Sequence, residues 1–339
     1  MRTAIDLFAG CGGLSLGLQF ANYTVVGAVE IDEVAAALYE ANHPTARVWR
    51  ADIRRLSPHE LLDDLNLRPG VLDLLAGCPP CQGFSTVRTL NGRRLVDDPR
   101  NDLVDDFARF VEALRPKSVM MENVPGLLGD PRLESLVARL RYWGYSVDCR
   151  ICDASDYGVP QRRKRLIVLA SSVGQARIPD PTTRRRPVGA IFGRLQAAGI
   201  SGDRLHDFPE RRSARISALI ADIPHNGGSR DDLPPERQLE CHRRMRGFFD
   251  VYGRMSWTDV APTITAGCWN PSKGRFLHPI ADRAITIREA AMIQGFPRSY
   301  YLDPKLGKTK LGQLIGNAFP PEFARRQAVA LASAVRAKP

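Results

Sequence analysis

The chain of 339 residues lacks the features of several protein classes. No stretch approaches the ~18 consecutive apolar residues that a membrane helix needs, and strongly apolar runs are short, such as residues 166–170. No cationic leader with an apolar core precedes the strand-like residues 3–9, so we expect no secretory signal. Seven cysteines are an odd set for a long chain, which disfavours a disulfide framework and favours a reducing cytoplasm.

The net charge of +11 is unevenly distributed. Residues 1–160 carry 17 basic and 22 acidic side chains, net −5, whereas residues 161–339 carry 31 and 15, net +16. The basic half favours a polyanionic partner, although a surface that serves only solubility fits the charge equally well. The basic residues are 41 Arg and 7 Lys along the whole chain. Genomic base composition also produces such a bias, so it does not by itself indicate the reading of guanine.

Strand-like and helix-like segments alternate up to about residue 170. The strand candidates are residues 3–9, 24–30, 71–76, 118–123 and 165–170, and the amphipathic segments between them include residues 14–20, 33–42 and 102–114. This alternation predicts a doubly wound, mostly parallel α/β sheet that is covered on both faces.

The second half of the chain has a different texture. Residues 171–187 resemble a linker, and residues 188–260 are rich in Arg, Gly, Pro and Asp, which favours a smaller, irregular domain. Regular patterning returns at residues 283–296, where Thr286 and Glu289 have the spacing of a capping box. A last helix is predicted from about residue 322 to 336.

Glycines follow the first predicted strand at residues 10–13 (Gly-Cys-Gly-Gly). Glycines there let a ligand approach the backbone at a helix N-terminus. Glu30 ends the second strand, where an acidic side chain commonly accepts ribose hydroxyls. Together they predict a nucleoside-containing cofactor. Ser15 stands at the third glycine position of the dinucleotide fingerprint, so the pattern departs from it, and a purely structural glycine turn is the alternative.

Cys81 lies in residues 77–85 (Gly-Cys-Pro-Pro-Cys-Gln-Gly-Phe-Ser), directly after the third predicted strand. Open parallel sheets carry their chemistry at the carboxyl ends of strands, so this position suits a nucleophile, and the two prolines fix its direction. One alternative is a redox pair with Cys78. Another is a tetrahedral zinc site that adds Cys149 and Cys152, although their distance along the chain argues against it.

Further candidate residues lie at the next strand termini. Glu122 follows apolar residues at the end of a strand, so we expect a partly apolar pocket that raises its pKa and lets it donate a proton; a solvated Glu is the alternative. Residues 161–165 (Gln-Arg-Arg-Lys-Arg) come directly before a buried strand. Such a run is commonly a solvated face, but this position favours at least one arginine that binds an anion or a polar base edge.

Taken in order, these motifs resemble those of the DNA (cytosine-5) methyltransferases of bacterial restriction–modification systems. The matching segments are residues 6–13, 80–82, 122–124, 161–165, 283–289 and 316–321. The resemblance extends from residue 3 to about 335, and Phe319 stands where the family usually has Val or Leu. The interval between Arg165 and Arg283 falls where the family carries its variable target-recognition domain. The implied division is residues 1–175 for catalysis and cofactor binding, 176–270 for target recognition, and 271–339 returning to the catalytic domain.

The resemblance implies S-adenosylmethionine as cofactor and no metal ion. The family's cofactor positions correspond to Phe8, Gly10, Gly12, Glu30, Ile31, Asp52, Ile53, Pro79 and Asn317. Glu30 would accept the ribose hydroxyls, and Asp52 would bind the adenine amino group.

The implied reaction is methyl transfer to C5 of a cytosine within a specific duplex DNA sequence, after the base flips out of the helix. Cys81 would form a covalent adduct with C6, Glu122 would contact N3 and the exocyclic amine, and Arg165 would hold the carbonyl edge. Arg163 and Arg165 would help to populate the thiolate. The expected DNA contacts are Ser85, Arg88, Arg93, Arg94, Arg243 and Arg244, with residues 82–101 as a mobile loop.

The expected partners are duplex DNA and a separately acting restriction endonuclease, with no membrane partner. A monomer in the cytoplasm of a prokaryote or phage host, associated with the nucleoid, is expected. Three alternatives stay open: a nicotinamide-dependent oxidoreductase, a non-catalytic DNA-binding regulator and an RNA cytosine methyltransferase. The first leaves Cys81 and the basic half unexplained, and the set of Cys81, Glu122 and Arg165 argues against the second. The length of the segment between Arg165 and Arg283 favours DNA over RNA.

Overall fold

The computed structural model describes residues 2–80, 102–182, 184–240 and 250–334. The chain forms two compact units. The first consists of Met1–Tyr157, Lys164–Thr182 and Phe319–Pro339, and the second of Gly158–Arg163 and Thr183–Ala318. Each unit therefore contains segments that are far apart in sequence. Within the described ranges, no helix is long and apolar enough to cross a membrane.

The first unit is built on a sheet of seven strands. They are β1 (Arg2–Leu7), β2 (Tyr23–Glu30), β3 (Arg47–Arg50), β4 (Leu74–Gly77), β5 (Ser118–Asn123), β6 (Ser146–Asp153) and β7 (Lys164–Ser171). Their order in the sheet is β3-β2-β1-β4-β5-β7-β6. Strands β1 to β5 pair in parallel, and β7 runs antiparallel to both β5 and β6. This architecture confirms the predicted doubly wound, mostly parallel sheet.

Helices occur in both units. They are α1 (Gly13–Phe20), α2 (Glu33–Asn42), α3 (Pro58–Asp64), α4 (Leu103–Leu114), α5 (Pro131–Tyr142), α6 (Gly189–Phe192), α7 (Ala214–Asp222), α8 (Ile287–Gln294), α9 (Gly307–Asn317) and α10 (Pro321–Ala334). The first five and α10 belong to the first unit. The predicted capping box is confirmed, because the Thr286 hydroxyl accepts from the Glu289 backbone N–H and the Glu289 carboxylate accepts from the Thr286 N–H.

Successive side chains of the central strands point to opposite faces of the sheet. Ile5, Leu75 and Val119 join an apolar core with Phe107 of α4 and Leu136 of α5. Helices α1 and α10 pack against each other elsewhere in this unit, and their approach depends on Gly17. A Cβ at that position would lie 2.4 Å from the Pro321 carbonyl oxygen, which is closer than side chains pack. Both faces of the strands are thus buried, as a parallel sheet requires.

In the described part of the second unit, isolated β-bridges occur and side chains bond extensively to the backbone. The Arg254 guanidinium is fully buried, and it donates to the backbone carbonyls of Ile220, Ile223, His278 and Ala281 and to the carboxylate of Asp282. A small apolar cluster that includes Leu219 and Leu277 lies in the same unit. This irregular structure agrees with the prediction for the second domain. The predicted domain borders at residues 175 and 270 stay a prediction.

Candidate active site at the carboxyl ends of the strands

The turn that follows β1 has an unusual backbone. Phe8, Gly10 and Gly12 have φ angles of 64°, 56° and 90°, a region that favours glycine and is strained for Phe. A Cβ at Gly10 would meet nothing within 4 Å, so the φ angle rather than crowding favours glycine there. Helix α1 begins at Gly13, and Gly12 provides no side-chain cap. The turn therefore places glycines with positive φ angles directly before the N-terminus of α1, and its role in binding a cofactor stays a prediction.

Glu30 fixes this turn from the end of β2. Its Oε2 accepts the Gly10 N–H over 2.7 Å, and its Oε1 accepts the Asp32 N–H over 2.7 Å. Each carboxylate oxygen has a second lone pair for a ligand hydroxyl. The neighbouring Ile31 side chain is 62% exposed, which is unusual for a large apolar group. A carboxylate and an exposed apolar surface thus lie side by side.

The residues after β3 are Asp52 and Ile53. The Asp52 carboxylate is bound by Arg54, with 2.9 Å between Nε and Oδ1 and 2.5 Å between Nη2 and Oδ2. These hydrogen bonds lower the pKa of Asp52 below its usual value. Ile53 is 4% exposed, and its side chain belongs to the apolar core. Asp52 is therefore a fixed negative charge, and any contact from Ile53 to a ligand must come from its backbone.

Glu122 and Arg165 meet at the far end of β5 and the start of β7. The Glu122 carboxylate is 8% exposed, and its Oε1 lies 2.7 Å from Nε of Arg165. The expected burial is present, and the carboxylate is paired with a guanidinium. The pair is thus suited to hold a polar planar group by hydrogen bonds from both partners.

Asn123 anchors the chain that leads to Cys81. Its Nδ2 donates to the Pro79 carbonyl oxygen over 3.0 Å, and its Oδ1 accepts the Val124 N–H over 2.8 Å. The Cys78 N–H donates to the Leu7 carbonyl oxygen. Residues 78–80 are therefore tied to the strand end that carries Glu122. Sequence reasoning gave Asn123 no role, although a short amide beside a strand-end carboxylate is a usable signal.

Several predicted site residues lie outside the described residues. They are Cys81, Ser85, Arg88, Arg93, Arg94, Arg243 and Arg244, together with the predicted loop at residues 82–101. Arg163 and Asn317 belong to the second unit. Arg163 is 3% exposed and its Nη1 donates to the Ile264 carbonyl oxygen, whereas Asn317 is exposed at the end of α9.

The zinc alternative conflicts with the sheet. Cys149 pairs with Val168 and Cys152 with Arg165, so both lie on β6, whereas Cys78 directly follows β4. β5 and β7 separate those strands, and three spacings of ~4.8 Å amount to about 14 Å. Sulfur ligands of one zinc ion each lie ~2.3 Å from it. Among the residues that the structure describes, no cluster of three or more His, Cys, Asp or Glu side chains could hold a metal ion.

A buried polar chain supports the glycine turn from behind. The Ser15 hydroxyl donates to Asp6 Oδ2 over 2.6 Å and lies 2.7 Å from the Tyr39 hydroxyl, and all three side chains are fully buried. Ser15 thus links β1 to α1 and α2, which gives a physical reason for its departure from the dinucleotide fingerprint. Burial raises the pKa of Asp6 to about 7; the Ser15 hydrogen bond lowers it and the charge of Glu30 raises it further.

Comparison with known proteins agrees with this geometry. Residues 2–333 match the family model of C-5 cytosine-specific DNA methylases. The chain is 34% identical to the Type II methylase M.HgiDII of Herpetosiphon aurantiacus, over 95% of this chain and 92% of that one. It is also 34% identical to the Type II methyltransferase M1.HphI of Haemophilus parahaemolyticus, with coverages of 97% and 86%.

Two solved structures show the same fold. One is a protein assigned as a DNA modification methyltransferase from an E. coli prophage, with a TM-score of 0.70 and 24% identity over 99% of this chain and 100% of that one. The other is the Dnmt2 methyltransferase of S. pombe, with a TM-score of 0.63 and 19% identity over 98% of both chains. At these identities the likeness concerns the fold alone.

The Asp6→Asn variant should lose a pH dependence of stability. The pKa of Asp6 in the folded protein, about 7, lies above the ordinary value of 3.8. The folded state therefore keeps a proton that the unfolded chain releases, and the free energy of unfolding falls as pH rises between those values. The free energy of unfolding of the variant, measured relative to wild type, should rise by about 1 kcal/mol or more between pH 5 and pH 8. Urea unfolding at the two pH values measures this difference.

Asp73→Asn is the matched control. Burial raises the pKa of Asp73, but hydrogen bonds from Lys117 and Thr3 lower it more, so the net value lies below the ordinary one. The difference between the free energies of unfolding of this variant and of wild type should stay constant over the same pH range. A constant difference for Asp6→Asn as well would contradict the assignment of a neutral Asp6.

Proposed function

The chain belongs to the C-5 cytosine-specific DNA methylase family and is a cytosine-5 DNA methyltransferase of the restriction–modification type, and from this premise we propose its cofactor and mechanism. S-adenosylmethionine provides the methyl group, and a covalent adduct of Cys81 with cytosine C6 activates the base. The proposal rests on the groups that lie together at one edge of the sheet. This edge holds the glycine turn and Glu30 at the ends of β1 and β2, and the Glu122–Arg165 pair beside β4.

The turn suits S-adenosylmethionine better than a pyrophosphate. The acidic groups at this edge are Glu30, which is bonded to the turn, and Asp52 after β3, and their charge disfavours a phosphate and favours a cationic ligand. Glu30 accepts the ribose hydroxyls through its remaining lone pairs, and Asp52 accepts from the adenine amino group. When bound, this cofactor supplies an electrophilic methyl group on a sulfonium. A nicotinamide dinucleotide fits the same charges poorly.

The remaining cofactor contacts follow from the same turn. Phe8, Gly10 and Gly12 offer backbone, and the exposed Ile31 offers an apolar surface for the adenine ring. Ile53 and Pro79 contribute backbone groups, and Asn317 contributes its exposed side chain. These roles rest on the family resemblance, and the exposure of Ile31 and Asn317 is consistent with theirs.

The side chains of this protein activate the base. Carbon 5 of cytosine is a poor nucleophile, so the Cys81 thiolate adds to C6 and the displaced electron pair makes C5 an enamine carbon. C5 would then take the methyl group as the carbon–sulfur bond of the sulfonium breaks and a neutral thioether leaves. C5 next loses its proton to a base, and the thiolate is eliminated. Residues 78–80, which precede Cys81 in the sequence, are tied to Asn123, the neighbour of Glu122.

Glu122 and Arg165 hold the target base. Arg165 binds the carbonyl edge, and Glu122 accepts from the exocyclic amine and donates a proton to N3 as the adduct forms. The observed bond between them keeps both groups oriented before the base arrives. Arg163 adds positive charge that favours the thiolate. These assignments keep the roles predicted from the motifs.

The basic part of the chain binds duplex DNA in this proposal. Residues 176–270 read the target sequence, and residues 271–339 complete the catalytic domain. Phosphate contacts come mainly from residues 161–339, whose net charge is +16, so binding weakens steeply with salt. The proposed contacts are Ser85, Arg88, Arg93, Arg94, Arg243 and Arg244. The enzyme acts as a monomer in the cytoplasm, separately from a cognate restriction endonuclease.

Purified protein should transfer label from methyl-labelled S-adenosylmethionine to C5 of cytosine in DNA. The substrate is plasmid DNA from a host without cytosine-5 methylation, and nucleoside analysis identifies the product. The control is the same plasmid prepared from a host that expresses this protein. Its target cytosines are already methylated, so it should take up no label. Label in N4-methylcytosine or N6-methyladenine would contradict the proposed reaction.

Cys81→Ala should abolish turnover while cofactor and DNA binding remain, because the nucleophile is lost and the binding groups are kept. Cys78→Ala is the matched control and should retain most of the activity, since Cys78 bonds through its backbone N–H. Single-turnover methylation and binding titrations give both comparisons. If the two variants lose activity equally, Cys81 is not a distinct nucleophile.

Glu122→Gln should lower the single-turnover rate by about 10²-fold, because the amide keeps the shape but cannot donate the acid proton. Glu112→Gln is the control, since Glu112 also pairs with an arginine, Arg139, but is exposed on α4. That variant should methylate DNA at the wild-type rate. An unchanged rate for Glu122→Gln would remove Glu122 from the mechanism.

A further inference from the structure

Two glutamines in the second unit form a continuous hydrogen-bonded chain. The Ile264 N–H donates to Gln161 Oε1 over 2.9 Å, and Gln161 Nε2 donates to Gln294 Oε1 over 2.6 Å. Gln294 Nε2 then donates to the Ala318 carbonyl oxygen. Both glutamine side chains are fully buried. We call this chain the amide relay.

The direction of the relay is fixed by its ends. A backbone N–H can only donate and a backbone carbonyl can only accept, so the Ile264 and Ala318 groups force the orientation of both side-chain amides. Turning either amide over would place two donors or two acceptors against each other in a buried site, which is costly. The relay is therefore a specific arrangement of two glutamines, and an apolar side chain of similar length, such as Met, supplies neither of its bonds at either position.

One end of the relay holds Arg163. Gln161 lies two residues before it, and the Arg163 guanidinium donates through Nη1 to the carbonyl oxygen of Ile264, whose N–H starts the relay. Backbone bonds between Ala261 and Pro160 and between Arg162 and Ala261 join the same two segments. The position of the Arg163 guanidinium therefore depends on where Gln161 holds Ile264.

The other end of the relay holds the chain beside Asn317. Ala318, which accepts from Gln294, directly follows Asn317 at the end of α9. Helix α9 also presses against the residues after Ile264, because a Cβ at Gly316 would lie 2.4 Å from the Thr265 carbonyl carbon. The relay thus joins the segment of one proposed target-base residue to the segment of one proposed cofactor residue.

We propose that Gln161 and Gln294 are positioning residues, whose amide relay sets the Arg163 guanidinium and the Asn317 segment in the arrangement that methyl transfer requires. This inference rests on the proposed function, since Arg163 and Asn317 take their roles from it. Neither glutamine touches substrate or cofactor in this proposal. Each acts through the residue that it holds.

Gln161→Met should lower the single-turnover methylation rate about tenfold or more. The Ile264 N–H loses its acceptor, so Ile264 moves, and with it the carbonyl oxygen that holds the Arg163 guanidinium. The KM for plasmid DNA should change little. Gln294→Met should show a similar rate loss and weaker binding of S-adenosylmethionine, because it also releases Ala318. Gln327→Met is the control: Gln327 is fully buried in α10 but makes no side-chain hydrogen bond among the described residues, so the rate should stay at the wild-type value.

Gln161→Glu tests the direction of the relay. The new carboxyl group can accept from Ile264 when ionised, but it can donate to Gln294 only when protonated. Its rate relative to Gln161→Met should therefore rise as pH is lowered from about 8 to about 6. The charged groups on the described segments that pack here are Arg162, Arg163, Asp259, Arg288, Glu289, Lys308 and Lys310. Both variants share them, so the ratio of the two rates cancels their titration.

A double-mutant cycle with Arg163→Lys separates positioning from general stabilisation. If Gln161 acts through Arg163, the rate losses of Gln161→Met and Arg163→Lys should overlap instead of multiplying. The inference would be overturned if the two rate losses multiply in the double variant and each loss matches the decrease in folded protein measured by thermal unfolding. A wild-type rate for Gln161→Met would also overturn it. An active wild type with an unaffected Gln161→Met contradicts the relay alone. A wild type that labels no cytosine C5 contradicts both the relay and the proposed function.

Discussion

Parallel pairing of β1 with β2 and β4, and of β4 with β5, is the constraint from which the site arises. Parallel strands end at one edge, so every group placed after a strand faces the same region. The glycine turn, Glu30, the Pro79 segment and Glu122 come together for this reason alone. The reversal of β7 adds Arg165, because an antiparallel strand starts at the edge where its parallel neighbours end.

Buried polar groups then hold this edge in one arrangement. Ser15 couples Asp6 to Tyr39 behind the glycine turn, and Asn123 ties Pro79 to β5. Each bond satisfies a group that would otherwise be desolvated without a partner, so its loss is costly. In the second unit, the buried Arg254 guanidinium holds five backbone and side-chain groups by hydrogen bonds in the same way.

The sequence predicted the sheet well because buried parallel strands are apolar throughout. It did not predict β3, whose four residues include two exposed arginines and give no clear period. It also missed α5, although Asp130 and Pro131 are a usual helix start and the Asp130 carboxylate does cap it. The ion pair of Glu122 with Arg165 was beyond sequence reasoning, because it depends on which strand lies beside β5.

The amide relay suggests how an irregular unit can vary and still support one reaction. Its four members, Gln161, Ile264, Gln294 and Ala318, lie before and after residues 184–250 in sequence. Substitutions inside that interval leave all four groups in place. Because the relay is bonded to backbone at both ends, it does not depend on which side chains read a target. If residues 184–250 take part in reading the target, as the proposed function holds, recognition can therefore change there while Arg163 and Asn317 keep their positions.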